Sequence, residues 1–212
     1  MSSLVSGFMG VIGSGKNYQA DILIKQGFKQ IDFKDELCRM ASDLLGYDIR
    51  EHYDFFKEHA IGIRCPNSSS AMLLYIAHET SKTAVLAGVP TGRVFLQRLG
   101  TDVIRSRHPN YWVDAWTRQA IACWENDKPV AVADVRFENE ALTILKKDSS
   151  ALRFCDYRSS RYDAAAHHES EALAQALLKI GLGDGDFVDR AHLTEAAPIA
   201  AALAEQYRKE VI

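Results

Sequence analysis

The chain has 212 residues, of which 47% are hydrophobic and 25% charged, proportions that exclude a disordered or fibrous protein and fit an ordinary folded one. A formal net charge of -3 and a pI near 6.2 exclude any overall electrostatic pull toward nucleic acid or an anionic membrane. Cys38, Cys65, Cys123 and Cys155 lie far apart with no C-x-x-C pair, which argues against a zinc site or a disulfide framework and for isolated thiols in a reducing compartment.

The run "LVSGFMG" (4–10) leads straight into a glycine loop and reads as a buried strand. It is too short to span a bilayer, and with no basic start or cleavage motif the expected location is the cytoplasm. A helix should follow over about 16–25, a second strand over "GFKQIDF" (27–33), and a helix over 35–46 that stops at Gly46. The middle is helical in pattern: 50–60, 71–88, 92–105 and 110–127, broken by "CPNSSS" (65–70) and "GVPTG" (88–92). "KPVAVADVRF" (128–137) is the clearest buried strand, a helix follows over 138–148, and "SALRFCDY" (150–157) reads as another core strand. The stretch 158–181 begins polar and turns helical near Ser170, and a terminal helix over 194–212 is expected with Thr194 as its cap. Strands alternating with helices predict an α/β fold with a parallel sheet covered on both faces.

"GVIGSGKNYQA" (10–20) has the spacing G-x-x-x-x-G-K between strand and helix. Such a loop turns backbone N–H groups inward at the positive end of a helix, where they hold phosphate oxygens. Gly10, Gly13 and Gly15 permit that backbone, and Lys16 reaches toward β- and γ-phosphates. With Ser14 and Asn17 they are the ATP-binding candidates. Asn17 stands where a hydroxyl residue usually serves Mg²⁺; its amide oxygen contacts the metal directly or through water. Asp134 closes the strand "PVAVAD" at the carboxyl edge of the sheet, where α/β ligands bind. It either holds Mg²⁺ through water or anchors a phosphate-binding arginine. Arg136 points to the same side. Arg93, Arg98 and Arg105 fall on one helical segment, Arg93 and Gln97 share a face at i, i+4, and Arg98 is expected to be a solvated surface charge. His167 and His168 lack a third ligand that would make them a metal site.

With the loop in place, "GRVFLQRLGTDVIR" and "YWV" (92–113), "VADVRFENEA" (132–141) and "HESEAL" (168–173) together resemble the bacteriophage deoxynucleoside monophosphate kinases. The likeness touches four blocks between Gly10 and about Leu173. It implies a P-loop kinase three-layer sandwich: a core of 1–48 and 128–157 with the C-terminal helix, a helical monophosphate-binding lobe over about 49–127, and a lid over about 158–170. It further implies transfer of the ATP γ-phosphoryl group to a dNMP with Mg²⁺, no stable nucleic-acid or membrane partner, and compatibility with a homodimer. By the same likeness Arg93 binds the monophosphate, Gln97 faces the base, Asp102 and Trp112 line the nucleoside pocket, Trp112 by stacking, and Arg105 is a further dNMP contact. Arg39 is an additional monophosphate contact. Lys16, Arg136 and the lid residues Arg158 and Arg161 surround the moving phosphoryl group, while His168 and Glu171 orient the lid at the dNMP side. Asn17 and Tyr18 depart from the family pattern. Two other readings stay open: a P-loop kinase acting on a modified base in DNA, and a nucleotide-binding protein without catalysis.

Overall fold

Leu4 and the apolar residues after it enter strand β1 (Val5–Met9), which pairs in parallel with β3 (Val130–Val135) on one side and β4 (Leu152–Phe154) on the other. β2 (Lys29–Gln30) lies outside β3, so the order of this all-parallel, four-stranded sheet is β2-β3-β1-β4. The computed structural model describes residues 4–58, 92–148, 150–156 and 168–210. The protein is α/β, and eight α-helices lie among the described residues.

The chain forms two compact units, one of Met1–Phe33 with Val113–Ile212 and the other of Lys34–Trp112. The first holds the sheet. Every residue of β3 is buried, the mark of a parallel strand covered on both faces. On one face Phe8 and Ala133 pack against Ala20 and Leu23 of helix α1 (Lys16–Lys25). On the other, Gly7 lets Ile144 of α6 (Glu138–Leu145) approach so closely that a methyl group there would lie 2.6 Å from its Cδ1. α7 (Glu169–Lys179) and α8 (Arg190–Glu210) pack together through Ala172, Leu203, Ala204 and Tyr207.

The second unit has its own core. Helix α2 (Asp35–Leu45), a 3₁₀ turn (Ile49–His52), α3 (Tyr53–Glu58) and α4 (Gly92–Gln97) bury Cys38, Leu44, Ile49, Phe56, Phe95 and Leu99 together. α4 runs into a π-helical stretch (Arg98–Arg105), so the expected helix over 92–105 is present but wound at two pitches. α5 (Tyr111–Trp124) begins at the end of this unit and continues into the first.

Several expectations shift. β2 is much shorter than 27–33 because the Asp32 side chain, not a strand partner's main chain, accepts the Ala133 N–H at 2.7 Å, and Phe33 N–H goes to Asp134 Oδ1 at 2.9 Å. The C-terminal helix begins at Arg190, four residues before the expected cap. Asp189 Oδ1 accepts the His192 N–H at 2.9 Å, and Thr194 is interior, its hydroxyl donating to Arg190 O at 2.9 Å. The lobe expected over 49–127 differs from the unit Lys34–Trp112: α2 belongs with the helical core, and most of α5 belongs with the sheet, where Trp116 and Trp124 are buried. The helix expected over 71–88 and most of the lid lie outside the described residues. Among the described residues no helix is long and apolar enough to cross a membrane.

Candidate functional site

β1 and β3 run in parallel with Met9 opposite Val135, so the glycine loop and Arg136 leave the sheet side by side at its carboxyl edge. The loop's shape requires glycine. Gly10, Gly13 and Gly15 have φ of 144°, 79° and 86°, in a region where L side chains are strained. At Gly10 a Cβ would also lie 2.2 Å from the carbonyl oxygen of Cys155, the residue that follows β4. Cys155 N–H in turn donates to Met9 O at 2.8 Å, which fixes the start of the loop to the next strand.

Lys16 opens α1 and folds back over the loop. Its Nζ donates to Gly10 O at 2.6 Å and Val11 O at 2.7 Å, with the buried Ser14 Oγ at 3.4 Å. Burial, the largest cause, brings the ammonium's pKa from 10.5 down to about 8; the Arg136 charge pushes the same way, and Glu171, Cys155 and Asp134 oppose it. Burial pushes the neighbouring Cys155 thiol up to about 11. Asn17 is exposed at the first turn of the helix.

Asp134 is 5% exposed, and its Oδ1 accepts the Phe33 N–H. Arg136 is held from its main chain, since Glu140 Oε2 accepts both its N–H at 2.9 Å and that of Phe137 at 3.1 Å, capping α6. Its guanidinium Nη1 donates to Glu171 Oε1, while Glu171 Oε2 accepts the Ile12 N–H at 3.0 Å. His168 caps α7 through Nδ1, which accepts the Ser170 N–H at 3.1 Å. The block "HESE" therefore places a cap and, three residues on, a carboxylate that faces the glycine loop.

These contacts bring together, within the sheet-bearing unit, the loop from Gly10 to Lys16, Arg136 and Glu171, with Asp134 one residue from the end of the strand that Arg136 follows. Arg39, Arg93, Gln97, Arg98, Asp102, Arg105 and Trp112 belong to the helical unit. Arg39 lies on the exposed side of α2, where Glu36 takes its Nε and Nη2 at 2.8 and 2.6 Å and Asp43 takes Nη1 at 2.8 Å. Arg93 and Gln97 are half-buried on α4, and Asp102 is exposed. Arg105 Nη1 donates to Pro109 O at 3.2 Å. Arg98 corrects the expectation of a solvated charge: it is buried, three residues after Phe95 on the face that Phe95 and Leu99 bury. Trp112 is 3% exposed, packs edge-on to Tyr111, and donates its indole N–H to Gly100 O at 3.0 Å, so the structure places it in a core. Arg158, Arg161 and His167 lie outside the described residues.

Two residues escaped the sequence reading. Asp32 is 3% exposed and lies two residues past β2, with Oδ2 accepting Gln30 Nε2 at 2.7 Å. Its signal was weaker than that of Asp134, a carboxylate after the mixed run "FKQI" rather than an apolar one. Glu140 gave none beyond its place three residues after Phe137. Among the described residues no group of three or more His, Cys, Asp and Glu side chains could hold a metal ion. No protein-family model and no curated protein matches the chain.

Proposed function

We propose that this protein is a P-loop kinase that transfers the γ-phosphoryl group of ATP to a deoxynucleoside monophosphate, giving a dNDP and ADP. The observation that carries the reading is Lys16: a buried ammonium inside a glycine loop, close enough to the Arg136 guanidinium for the two charges to disfavour each other. Cations gathered in a poorly solvated place are relieved by an anion, and a perturbed group in such a place marks a functional site. A polyphosphate has the charge and oxygen spacing to replace the Gly10 and Val11 carbonyls as acceptors for Lys16, while loop amides take further oxygens.

Phosphoryl transfer needs little covalent help from a protein. An acceptor phosphate oxygen bonds to the γ-phosphorus as the bond to the β-bridging oxygen breaks, and ADP leaves with that electron pair. In this scheme Lys16 and Arg136 face the charge that builds up on the moving group. Mg²⁺ supplies further charge neutralisation when bound. It usually keeps several waters and is held by one or two carboxylates with substrate phosphates, so Asp134 at the strand end and the exposed Asn17 fit it as partial ligands without a closed cage. Arg93, Gln97, Asp102, Arg105 and Arg39 are the proposed acceptor contacts, with Arg158 and Arg161 as lid residues.

A coupled ADP-release assay over all dNMPs and NMPs tests the proposal, with Lys16→Ala as control. The expected result is Mg²⁺-dependent turnover with deoxy acceptors that falls by about 10² or more in the variant. ATP binding with no ADP release on any acceptor would favour a nucleotide-binding protein without catalysis.

A further inference from the structure

The scheme above gives Glu171 no part, yet this residue is 1% exposed and its carboxylate bridges two parts that the scheme needs. A buried carboxylate is tolerable where donors match its oxygens. Here Ile12 N–H donates to Oε2 and Arg136 Nη1 donates to Oε1. The helix carrying it is fixed at its start by the His168 cap, and Glu171 N–H donates to His168 O at 2.9 Å. A glutamate three residues after a cap commonly turns back to the cap's own N–H. Glu171 instead reaches 159 residues back in sequence, to the glycine loop.

From this bridge we infer that Glu171 is a positioning residue that ties the Arg136 guanidinium to the first half of the glycine loop, so that Arg136 meets the transferred phosphoryl group in one orientation. The inference rests on the kinase reading. A guanidinium carries five donors in a rigid fork, so a grip on one corner sets the direction of the rest. The same carboxylate fixes Ile12, and loop and arginine keep one spacing whatever occupies them. Glu171 touches no reacting atom and acts through Arg136.

Glu171→Gln keeps the size but opposes two donors with a group that has one acceptor oxygen and an NH₂, so one of the two contacts must break. Two readouts on the full chain test the inference: amide hydrogen exchange at Ile12 in nucleotide-free protein, and kcat and KM for ATP. Where the amide oxygen of E171Q stays on Arg136, the Ile12 amide should exchange about tenfold faster or more, the factor for losing one hydrogen bond to a charged group. Where it stays on Ile12, kcat should fall about 10-fold to 100-fold while KM for ATP moves by less than about threefold, as expected for a contact made in the transition state. In an Arg136→Met background E171Q should add almost nothing.

Ile12 exchange and kcat both unchanged, a loss confined to KM, or an equal loss of kcat on the R136M background would each overturn the inference. If E171Q does not melt like the wild type, Glu171→Asp carries the same arms, because the shorter side chain keeps the charge but reaches only one donor. A wild type with no turnover on any acceptor sinks the kinase reading alone, and Ile12 exchange in Glu171→Ala, which offers neither acceptor, then decides whether Glu171 holds the loop.

Discussion

Lys16 is where the chemistry of a single residue is easiest to test, because the same burial that lowers its pKa from 10.5 to about 8 ties its charge to pH. Between those two values the unfolded chain binds the proton more tightly than the folded one, so this residue's contribution to stability rises with pH across that window. Below about pH 8 the cost of burying the charge is present in full. Triphosphate binding should act in the opposite sense, since an anion beside Nζ favours the protonated amine. Affinity for ATP should therefore fall as pH rises above about 8, with uptake of a proton on binding. Calorimetry at pH 8.5–9 in buffers of different ionisation enthalpy would show the uptake as a buffer-dependent heat. Lys16→Met should abolish it and weaken ATP binding by on the order of 1.5–3 kcal/mol, the range for a hydrogen bond to a charged group. A binding heat independent of buffer would show that Lys16 does not meet the phosphates.

Residue identities were partly legible without coordinates. Gly10, Gly13, Gly15 and Lys16 announced themselves by spacing, and the loop has the positive φ values that spacing demands. Arg98 did not, because a charged side chain is expected in solvent even where the helical period sets it beside Phe95 and Leu99. Trp112 presented the same side chain to two readings, a base-stacking plane or a core ring. Its hydrogen bond to Gly100 O and its burial place it in a core, contacts that depend on residues twelve apart meeting in space.

At the scale of elements, close approach decides more than propensity does. Gly92 opens α4 against α3, and a Cβ there would meet the Phe56 carbonyl oxygen at 2.2 Å and its ring carbons at 2.7 Å. Alanine gains up to about 1 kcal/mol of helix propensity over glycine. The overlap is with main chain, which cannot rotate out of the way as a flexible side chain can. Overpacking of this kind costs about 1–3 kcal/mol, so Gly92→Ala should be net destabilising. Urea unfolding reads the sign directly, and a raised midpoint with unchanged m-value would show that α3 and α4 separate at little cost. Element types were recoverable along most of the chain from the 2.0 and 3.6 periods, but ends were not. β2 stops early because Asp32 and Asp134 take main-chain N–H groups with their side chains, and no period carries that information.

For the whole molecule, the consequential feature is that the sheet-bearing unit is discontinuous in sequence, leaving at Phe33 and resuming at Val113. Its two chain ends are nonetheless adjacent. The Phe33 and Trp116 rings lie 5.0 Å apart, and Trp116 Nε1 donates to Ile31 O at 2.9 Å. The unit buries its own cluster, including Met9, Val132, Ile144, Leu177 and Leu193, without residues from the other. A chain in which a short Gly/Ser linker replaces 34–112 should therefore fold, because closing a short loop between neighbouring ends costs little entropy. Cooperative melting and a near-UV signal from Trp116 and Trp124 would bear this out. A non-cooperative transition with no near-UV signal would show that the sheet needs the helical unit.

The sequence by itself determined the alternation of strand and helix, the buried parallel strand over 130–135 and the glycine loop, because periodicity, apolar runs and backbone permissiveness are local properties. Only the tertiary structure decided that Glu171 reaches Ile12 and Arg136, that Lys16 turns back onto its own loop, and that Asp32 stands beside Asp134 across two strands. Those are matters of which groups share a poorly solvated space. The strand order sets that sharing, and it is written in no single stretch of the chain.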